Sequence, residues 1–318
     1  MSRDDSFAKR GCAIRCGEVL ANVPLCREHY RLTLGVAGFP IPRAGQFVHL
    51  APERRPSQSR VPCGPAAGVE GGGGPMLRRA FSVAGYRATT TQPEVEVIYR
   101  VVGVGTKWMR SLRAGDRVSV LGPQGNHFPI EKKAASTWLV AGGVGLPPML
   151  YLAESLRKAG KRVTAFCGAQ TADLLALTID ERVAPSDAAE QATLCAKEFA
   201  ACDANAVIST DDGTLGFSGH VGDAMTAYYN AHPVSCDDVV VYTCGPERMM
   251  AFVAGFCDAQ SIRCYVCMER AMACGTGMCQ SCVVPLRDRN DPEGWGYQLC
   301  CIDGPVFPAT DVLWTHPH

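Results

Sequence analysis

Three cysteines lie close together near the C-terminus. Cys274, Cys279 and Cys282 have the spacing C-x4-C-x2-C, which with a more distant fourth cysteine is the plant-type pattern for a 2Fe–2S cluster. A bridged diiron core takes four soft, anionic thiolate ligands. The spacing therefore predicts a cluster, and from the residues alone its fourth ligand is either Cys300 or Cys301.

Other cysteines offer zinc as an alternative. Cys264 and Cys267 are separated by two residues, as zinc ligands often are. The four-residue spacer after Cys274 contains two glycines, which let backbone N–H groups point at sulfur. That spacer is unusual for zinc, so we interpret Cys264 and Cys267 as packing residues. A second, less favoured zinc site would consist of Cys12, Cys16, Cys26 and His29.

A separate set of residues suits a flavin. The run Arg79-Ala80-Phe81-Ser82 offers a cation for a pyrophosphate, an aromatic face for the ring and a hydroxyl for the ring nitrogens. Ile98-Tyr99-Arg100 adds a further aromatic residue and a further cation. Beyond it, Gly103, Gly105 and Thr106 start a segment in which glycine lets backbone N–H groups approach phosphate. Each piece is weak alone, but the three in this order predict a flavin site.

Two glycine turns suit a nicotinamide dinucleotide. Gly142, Gly143 and Gly145 follow an apolar strand and start a helix, which is where the phosphates of a dinucleotide meet a helix N-terminus. The run is not the G-x-G-x-x-G fingerprint. Cys244-Gly245-Pro246 again separates a strand from a helix. Two such turns at one edge of a sheet predict a single crevice between them.

Three kinds of element must position these residues. Short strands separated by turns predict an antiparallel β-barrel for the flavin. Alternating strands and helices then predict a doubly wound α/β nicotinamide domain, followed by a small C-terminal 2Fe–2S domain. We expect an N-terminal extension over 1–16, the FAD-binding barrel over 17–133 with a flexible insertion over 52–76, the NAD-binding domain over 134–262 and the cluster domain over 263–318.

Composition narrows the class of protein. Lys plus Arg and Asp plus Glu both number 31, so the charge does not suggest a nucleic-acid or polybasic membrane surface. No run reaches the roughly 18 apolar residues of a membrane helix, and the N-terminus has no signal-peptide core. The 17 cysteines, in a long chain without an export signal, indicate cluster ligands and packing residues rather than disulfides. We expect a cytoplasmic protein.

Together these motifs resemble the ferredoxin–NADP reductase superfamily. Within it, the chain from about Gly17 onward is similar to the electron-transfer subunits of class 1B dihydroorotate dehydrogenase. The matching segments are Ala44–Phe47, Arg79–Ser82, Ile98–Arg100, Gly103–Thr106, Gly122–Gly125, Gly142–Pro148, Thr210–Gly213, Cys244–Met249, Glu269–Cys282 and Cys301–Phe307.

The resemblance implies cofactors, partner and mechanism. It places FAD at the positions matching Arg79–Ser82, Ile98–Arg100, Gly105 and Thr106, and selects Cys301 as the fourth cluster ligand because Asp303-Gly304-Pro305 follows it. A catalytic subunit with its own FMN would oxidise dihydroorotate. Electrons would then pass through the 2Fe–2S cluster and FAD to NAD+, with Cys244 near the hydride path. The implied assembly is a heterotetramer with two of each subunit.

Some features differ from the family or leave alternatives open. Ala80 stands where the family usually has Pro, and the 52–76 loop is longer than usual. The flavin subunit of an NADPH–ferredoxin oxidoreductase or sulfide dehydrogenase is the main alternative, but its first cluster ligand is typically Asp, where this chain has Cys274. A non-catalytic iron–sulfur scaffold would have eroded flavin or nicotinamide motifs. We also expect NADH to be preferred, because the turn after the second strand of the α/β domain has Asp173 and no cation.

Overall fold

The flavin half of the chain is a curled antiparallel sheet. The computed structural model describes residues 12–53, 77–289 and 291–314, so most of the predicted 52–76 insertion lies outside the described residues. The sheet consists of seven strands: β1 (Ala13–Cys26), β2 (His29–Val36), β3 (Phe47–Pro52), β4 (Arg79–Ser82), β5 (Gly85–Arg87), β6 (Glu94–Arg100) and β7 (Arg117–Gln124). Their order in the sheet is β4-β3-β7-β1-β2-β6-β5, and β4 also contacts β6.

Alternation explains why these residues form strands with one buried face. Leu32 and Leu34 of β2 are fully buried, as are Val95 and Val97 of β6, and successive side chains of a strand point to opposite faces. The barrel begins earlier than the sequence indicated, because Ala13–Cys16 of β1 already pair with β7. Helix α1 (Val104–Ser111) follows β6, and its first turn is capped by Thr106.

The second sheet consists of seven strands: β8 (Ser136–Gly142), β9 (Arg162–Ala169), β10 (Asn205–Thr210), β11 (Phe217–Ser218), β12 (Val239–Cys244), β13 (Arg263–Cys267) and β16 (Val306–Pro308). Their order in the sheet is β11-β10-β9-β8-β12-β13-β16. The strands are parallel except for β16, which is antiparallel to β13. The accompanying helices are α2 (Leu146–Lys158), α3 (Lys197–Ala200), α4 (Val221–Ala231) and α5 (Glu247–Ala259).

The cluster segment leaves this sheet and returns to it. A hairpin of β14 (Val283–Arg287) and β15 (Trp295–Leu299) lies between β13 and β16. The sequence-based domain boundary at residue 263 therefore falls at the start of a strand that belongs to the parallel sheet. The apolar, β-branched run of β13 cannot be told from the first strand of a new domain by pattern alone.

Two apolar cores hold the molecule together. One joins the inside of the barrel to the face of the second sheet that α2 covers, and the other joins the opposite face to the cluster segment. Tyr151 on α2 also donates to the carbonyl of Pro42, at 2.8 Å. The predicted fold class, with a barrel, a doubly wound sheet and a small cluster domain, is confirmed. None of the helices in the described ranges is both long and apolar enough to cross a membrane.

Candidate functional site

The loop between β13 and β14 gathers sulfur atoms and backbone donors. The N–H groups of Thr276 and Cys279 both point at Sγ of Cys274, at 3.3 and 3.4 Å. Sγ of Cys279 lies 3.2 Å from the hydroxyl of Ser281. Gly275 and Gly277 have φ of +69° and +81°, a conformation that favours glycine and lets the loop wrap closely.

Cys301 joins this group from the far side of the β14–β15 hairpin. Its N–H donates to Sγ of Cys282 at 3.4 Å, and both residues are buried. Burial, a hydrogen bond with the Cys282 thiol and the nearby Cys282 charge together raise the pKa of Cys301 to about 12, although the Gly277 N–H opposes them. The adjacent Cys300 is oriented differently, because its thiol donates to the carbonyl of Met268 at 3.3 Å.

The chemistry of this donor set fits an iron–sulfur cluster. Burial raises the pKa of Cys274, but hydrogen bonds from Thr276 and Cys279 outweigh it and lower the value to about 6, which favours the thiolate that iron requires. The hydroxyl of Ser281 lowers the pKa of Cys279. Across the described part of the chain, no three Cys, His, Asp or Glu side chains converge on a single metal ion. A diiron core instead takes its thiolates in two pairs.

The alternative zinc ligands are dispersed. Cys16 and Cys26 lie ten residues apart on β1, an extended span of roughly 30 Å. Cys264 is buried against the Cys257 thiol and Cys267 against the Cys244 thiol. Neither set of alternative zinc ligands is therefore gathered at one point in the described residues.

The flavin residues come from two neighbouring parts of the barrel. The side chain of Arg79 lies against Gly105, whose added Cβ would stand 3.2 Å from the arginine Cγ and Nε. Thr106 accepts hydrogen bonds from the N–H groups of Val102 and Gly103, at 2.9 and 3.1 Å, which fixes the start of α1. Arg79 and the N-terminus of α1 thus provide a cation and backbone donors side by side, which fits a pyrophosphate.

The aromatic residues of the flavin motif differ in exposure. Phe81 is half-buried, and its ring meets that of Tyr99 edge-on at 6.1 Å. Tyr99 is only 2% exposed, stacks on Tyr30 and donates to the side-chain oxygen of Asn22. Phe81, Ala80 and Ser82 lie at the accessible edge of the barrel, whereas Ile98 and Tyr99 contribute side chains to its core.

The two glycine turns meet at the carboxyl edge of the parallel sheet. Cys244 and Ala141 are register partners in β12 and β8. A Cβ on Gly145 would overlap the carbonyl of Cys244, and one on Gly142 would lie 2.6 Å from Sδ of Met249. Gly245 has φ of +152°. Only glycine therefore allows these turns to pack together and to leave the N-termini of α2 and α5 open to a ligand.

A cleft of about 770 Å³ extends from these turns toward the barrel. Gly142, Gly143 and Pro246 line one part of it, and Arg100 lines the barrel side. The structure thus brings part of the nicotinamide motif and one flavin-motif residue, Arg100, to one cavity, whereas Arg79–Ser82 and the Gly103–Thr106 segment are not among its lining residues. Its size is in the usual range for ligand and cofactor sites.

Several residues that line this cleft were not predicted from the sequence to be site residues. Nδ1 of His220 lies 3.0 Å from Oδ1 of Asp211, Arg248 lies on the first turn of α5, and Glu269 begins the cluster segment. Asp211, Arg248 and Glu269 lie in segments that carry the family resemblance, and Asp211 directly follows a parallel strand, where ligands bind in such sheets.

Two other residues have positions that the sequence did not indicate. His29, on β2 of the barrel, lines the cleft although it is 2% exposed. Burial lowers the pKa of His29, and the nearby charge of Arg100 lowers it further. The hydrogen bond with the Arg27 carbonyl acts in the opposite direction but does not outweigh these two effects. Asp173 is not among the residues lining the cleft; it pairs with Arg27 at 3.0 Å. The predicted repulsion of a 2′-phosphate by Asp173 therefore has no direct geometric basis.

Two family models match the part of the chain that follows the barrel, and curated relatives match most of its length. A family model described as the iron–sulfur cluster binding domain of dihydroorotate dehydrogenase B matches residues 269–313, and an oxidoreductase NAD-binding domain model matches residues 139–255. The electron transfer subunit of dihydroorotate dehydrogenase B (NAD(+)) from Bacillus cereus (strain 03BB102) is 32% identical over 271 residues, covering 85% of this chain and 86% of that protein. The protein of the same name from Bacillus anthracis (strain CDC 684 / NRRL 3495) matches equally well, at 32% identity and the same coverage.

Solved structures show the same fold at lower identity. The structure of an NADH-dependent reduced ferredoxin–NADP oxidoreductase superposes with a TM-score of 0.70 at 24% identity, covering 94% of this chain and 90% of that one. A ferredoxin reductase from carbazole 1,9a-dioxygenase gives a TM-score of 0.56 at 18% identity, covering 79% and 67% of the two chains.

Proposed function

Since the chain belongs to the family of electron-transfer subunits of dihydroorotate dehydrogenase B, we propose that it carries electrons from a catalytic partner subunit to NAD+. The observation that carries this proposal is the 32% identity over 85% of the chain, and the two family models that match the cluster segment and the nicotinamide sheet agree with it. A fold shared with ferredoxin–NADP oxidoreductases is common to both candidate functions and does not decide between them.

The proposed cluster ligands are Cys274, Cys279, Cys282 and Cys301. The hydrogen bonds to Sγ of Cys274 and of Cys282 support the assignment, because such bonds stabilise thiolates. Cys300 donates to a carbonyl instead, which is the role of a thiol that stays protonated.

The proposed FAD site uses the accessible edge of the barrel. Arg79 would neutralise the pyrophosphate, together with the backbone of Gly103, Gly105 and Thr106 at the start of α1. Phe81 and Ser82 would face the ring, with Ala80 beside them, and Arg100 would act from the next strand. Ile98 and Tyr99 would support this surface from the core.

The proposed NAD site uses the paired glycine turns. The backbone N–H groups after Gly142, Gly143 and Gly145 would hold the dinucleotide phosphates. Cys244, Gly245 and Pro246 would form the opposite wall of the crevice, with Cys244 nearest the hydride path. When bound, the flavin and the cluster supply the exchange between two-electron hydride transfer and single-electron transfer. The chain itself binds, orients and shields the reacting groups.

The family implies a catalytic partner subunit. We propose that this partner contains FMN, oxidises dihydroorotate and forms a heterotetramer with two copies of each chain, in the cytoplasm. The proposal assigns no acid–base role toward dihydroorotate to this chain.

Copurification from the source cell tests the proposal. A tagged chain should capture an FMN-containing subunit, and the complex should reduce NAD+ with dihydroorotate. Capture of a ferredoxin-dependent partner, with no dihydroorotate turnover, would instead support the NADPH–ferredoxin alternative.

A further inference from the structure

A buried pair of polar side chains connects the barrel to the cluster loop. His49 on β3 is 0% exposed, and its Nδ1 lies 2.6 Å from Oε1 of Gln124 at the end of β7. Nε2 of Gln124 donates to the carbonyl of Gly275 at 2.5 Å. Gly275 directly follows Cys274 in the chain. A hydrogen-bonded path therefore leads from the barrel to the segment that holds the first cluster cysteine.

The direction of each hydrogen bond follows from the donors and acceptors present. The Gly275 carbonyl can only accept, so Gln124 presents its NH₂ group to Gly275 and its oxygen to His49. Burial lowers the pKa of His49, and the nearby charge of Arg78 lowers it further. The hydrogen bond with Gln124 acts in the opposite direction but does not outweigh these two effects. The neutral ring therefore carries its proton on Nδ1.

The carbonyl that Gln124 binds belongs to a peptide group with a second role. The N–H of the same peptide group is that of Thr276, which donates to Sγ of Cys274 at 3.3 Å. A donor on a peptide oxygen polarises the group and strengthens its N–H as a donor. The ring of His49 also lies so close to Gly275 that an added Cβ would overlap it. The peptide is thus oriented both by a hydrogen bond and by direct packing.

We propose that His49 and Gln124 are positioning residues that raise the reduction potential of the cluster through the Gly275–Thr276 peptide and its hydrogen bond to Cys274. Hydrogen bonds to the sulfurs are among the features that set cluster potentials, because they stabilise the additional negative charge of the reduced state. The inference rests on the proposed ligation by Cys274.

The direct test is a redox titration of the cluster, followed by electron paramagnetic resonance and visible circular dichroism in the protein purified with its cofactors. In Gln124→Leu the ratio of reduced to oxidised cluster at a fixed potential should fall about tenfold, equivalent to about 59 mV for a one-electron couple. Gln124→Met has a side chain of similar length that cannot donate to Gly275, and it adds no charge. Its shift should be in the same direction and of similar size.

Variants of His49 independently test the hydrogen bond between His49 and Gln124. His49→Leu should lower the potential by less than Gln124→Leu, because Gln124 keeps its own bond to Gly275. His49→Asn should restore a potential near that of the wild type, because the Asn amide can replace the Nδ1–H donor. Thr137→Val is the matched control: it removes a buried hydrogen bond to the Arg162 carbonyl, 2.9 Å long, in the nicotinamide domain. It should leave the potential unchanged.

Two outcomes separate this inference from the ligand assignment. An intact cluster whose potential is unchanged in both Gln124 variants would overturn the inference and leave the ligands as proposed. A wild-type protein without a 2Fe–2S spectrum would overturn the ligand assignment itself. If the Gln124 variants lose the cluster, equal potentials in His49→Leu and His49→Asn would overturn the inference.

Discussion

Cys300 and Cys301 are adjacent in the chain and both are buried, but they make different hydrogen bonds. The N–H of Cys301 donates to Cys282, whereas the thiol of Cys300 donates to Met268. We expect Cys301→Ser to bleach or shift the visible spectrum of the cluster and Cys300→Ser to leave it intact. Absorption and circular dichroism spectra of the two purified variants provide the measurement, and the reverse pattern would contradict the assignment.

Preference for NADH is the second prediction for single residues. Asp211, Asp223 and Glu269 line the cleft and Asp173 does not, and a 2′-phosphate near Asp211 would be repelled. We expect catalytic efficiency in an NAD(P)H-linked dye reduction assay to favour NADH by at least about tenfold, or roughly 1.4 kcal/mol. Asp211→Asn should narrow the ratio, and Asp237→Asn, an exposed residue outside the cleft lining, should not. Equal or better efficiency with NADPH would contradict the prediction and favour the alternative function.

The sequence pattern predicted the cluster cysteines better than it predicted the residues that line the cleft. The cysteine spacing was informative because three of the proposed ligands lie on one short loop, where sequence distance limits spatial distance. Asp211 and His29 reach the same cleft from different sheets, and no local pattern marks such a meeting. The burial of Tyr99 also could not be predicted, because an aromatic residue on a strand suits either face.

At the scale of elements, the two glycine turns of the nicotinamide site pack so closely that they leave no space for a side chain at Gly145. Because a Cβ on Gly145 would overlap the Cys244 carbonyl, we expect Gly145→Ala to destabilise the protein by about 1–3 kcal/mol and to weaken NADH binding. Thermal unfolding and a fluorescence titration with NADH would measure the two effects.

The matched control for that substitution lies on α5. An added Cβ at Gly255 meets nothing within 4 Å, and alanine is favoured over glycine inside a helix by about 1 kcal/mol. Gly255→Ala should therefore leave NADH binding unchanged and maintain or raise the melting temperature. Similar losses in both variants would show that the contact between the turns is not the cause.

The order of the elements was predictable, but the edge of the second sheet was not. Strands followed by glycine turns and amphipathic helices identify β8 and β12, since both are buried on two faces. The antiparallel pairing of β16 with β13 depends on residues about forty positions apart, and a three-residue strand carries almost no pattern of its own.

At the scale of the whole molecule, the proposed division of labour predicts what the isolated chain can do. Denaturation should release FAD, and the native chain should pass electrons from NADH to artificial acceptors. It should not oxidise dihydroorotate unless the catalytic subunit is added, because no acid–base group in this chain is assigned to that reaction. Release of FMN, or dihydroorotate turnover by this chain alone, would argue against the proposal.

The return of the chain to its own sheet limits how the protein can be shortened. β13 and β16 flank the cluster segment in the sequence and lie side by side at one edge of the second sheet. The cluster segment is therefore an insertion between two strands of the same sheet and not a separate domain that can be removed. Cutting the chain after residue 262 would remove both strands and leave the buried, apolar β12 as a bare sheet edge. Unprotected apolar edges promote pairing between molecules. A fragment that ends at residue 262, and so retains the barrel and most of the α/β domain, should therefore aggregate, whereas replacing only the loop between β13 and β14 should preserve a monodisperse protein.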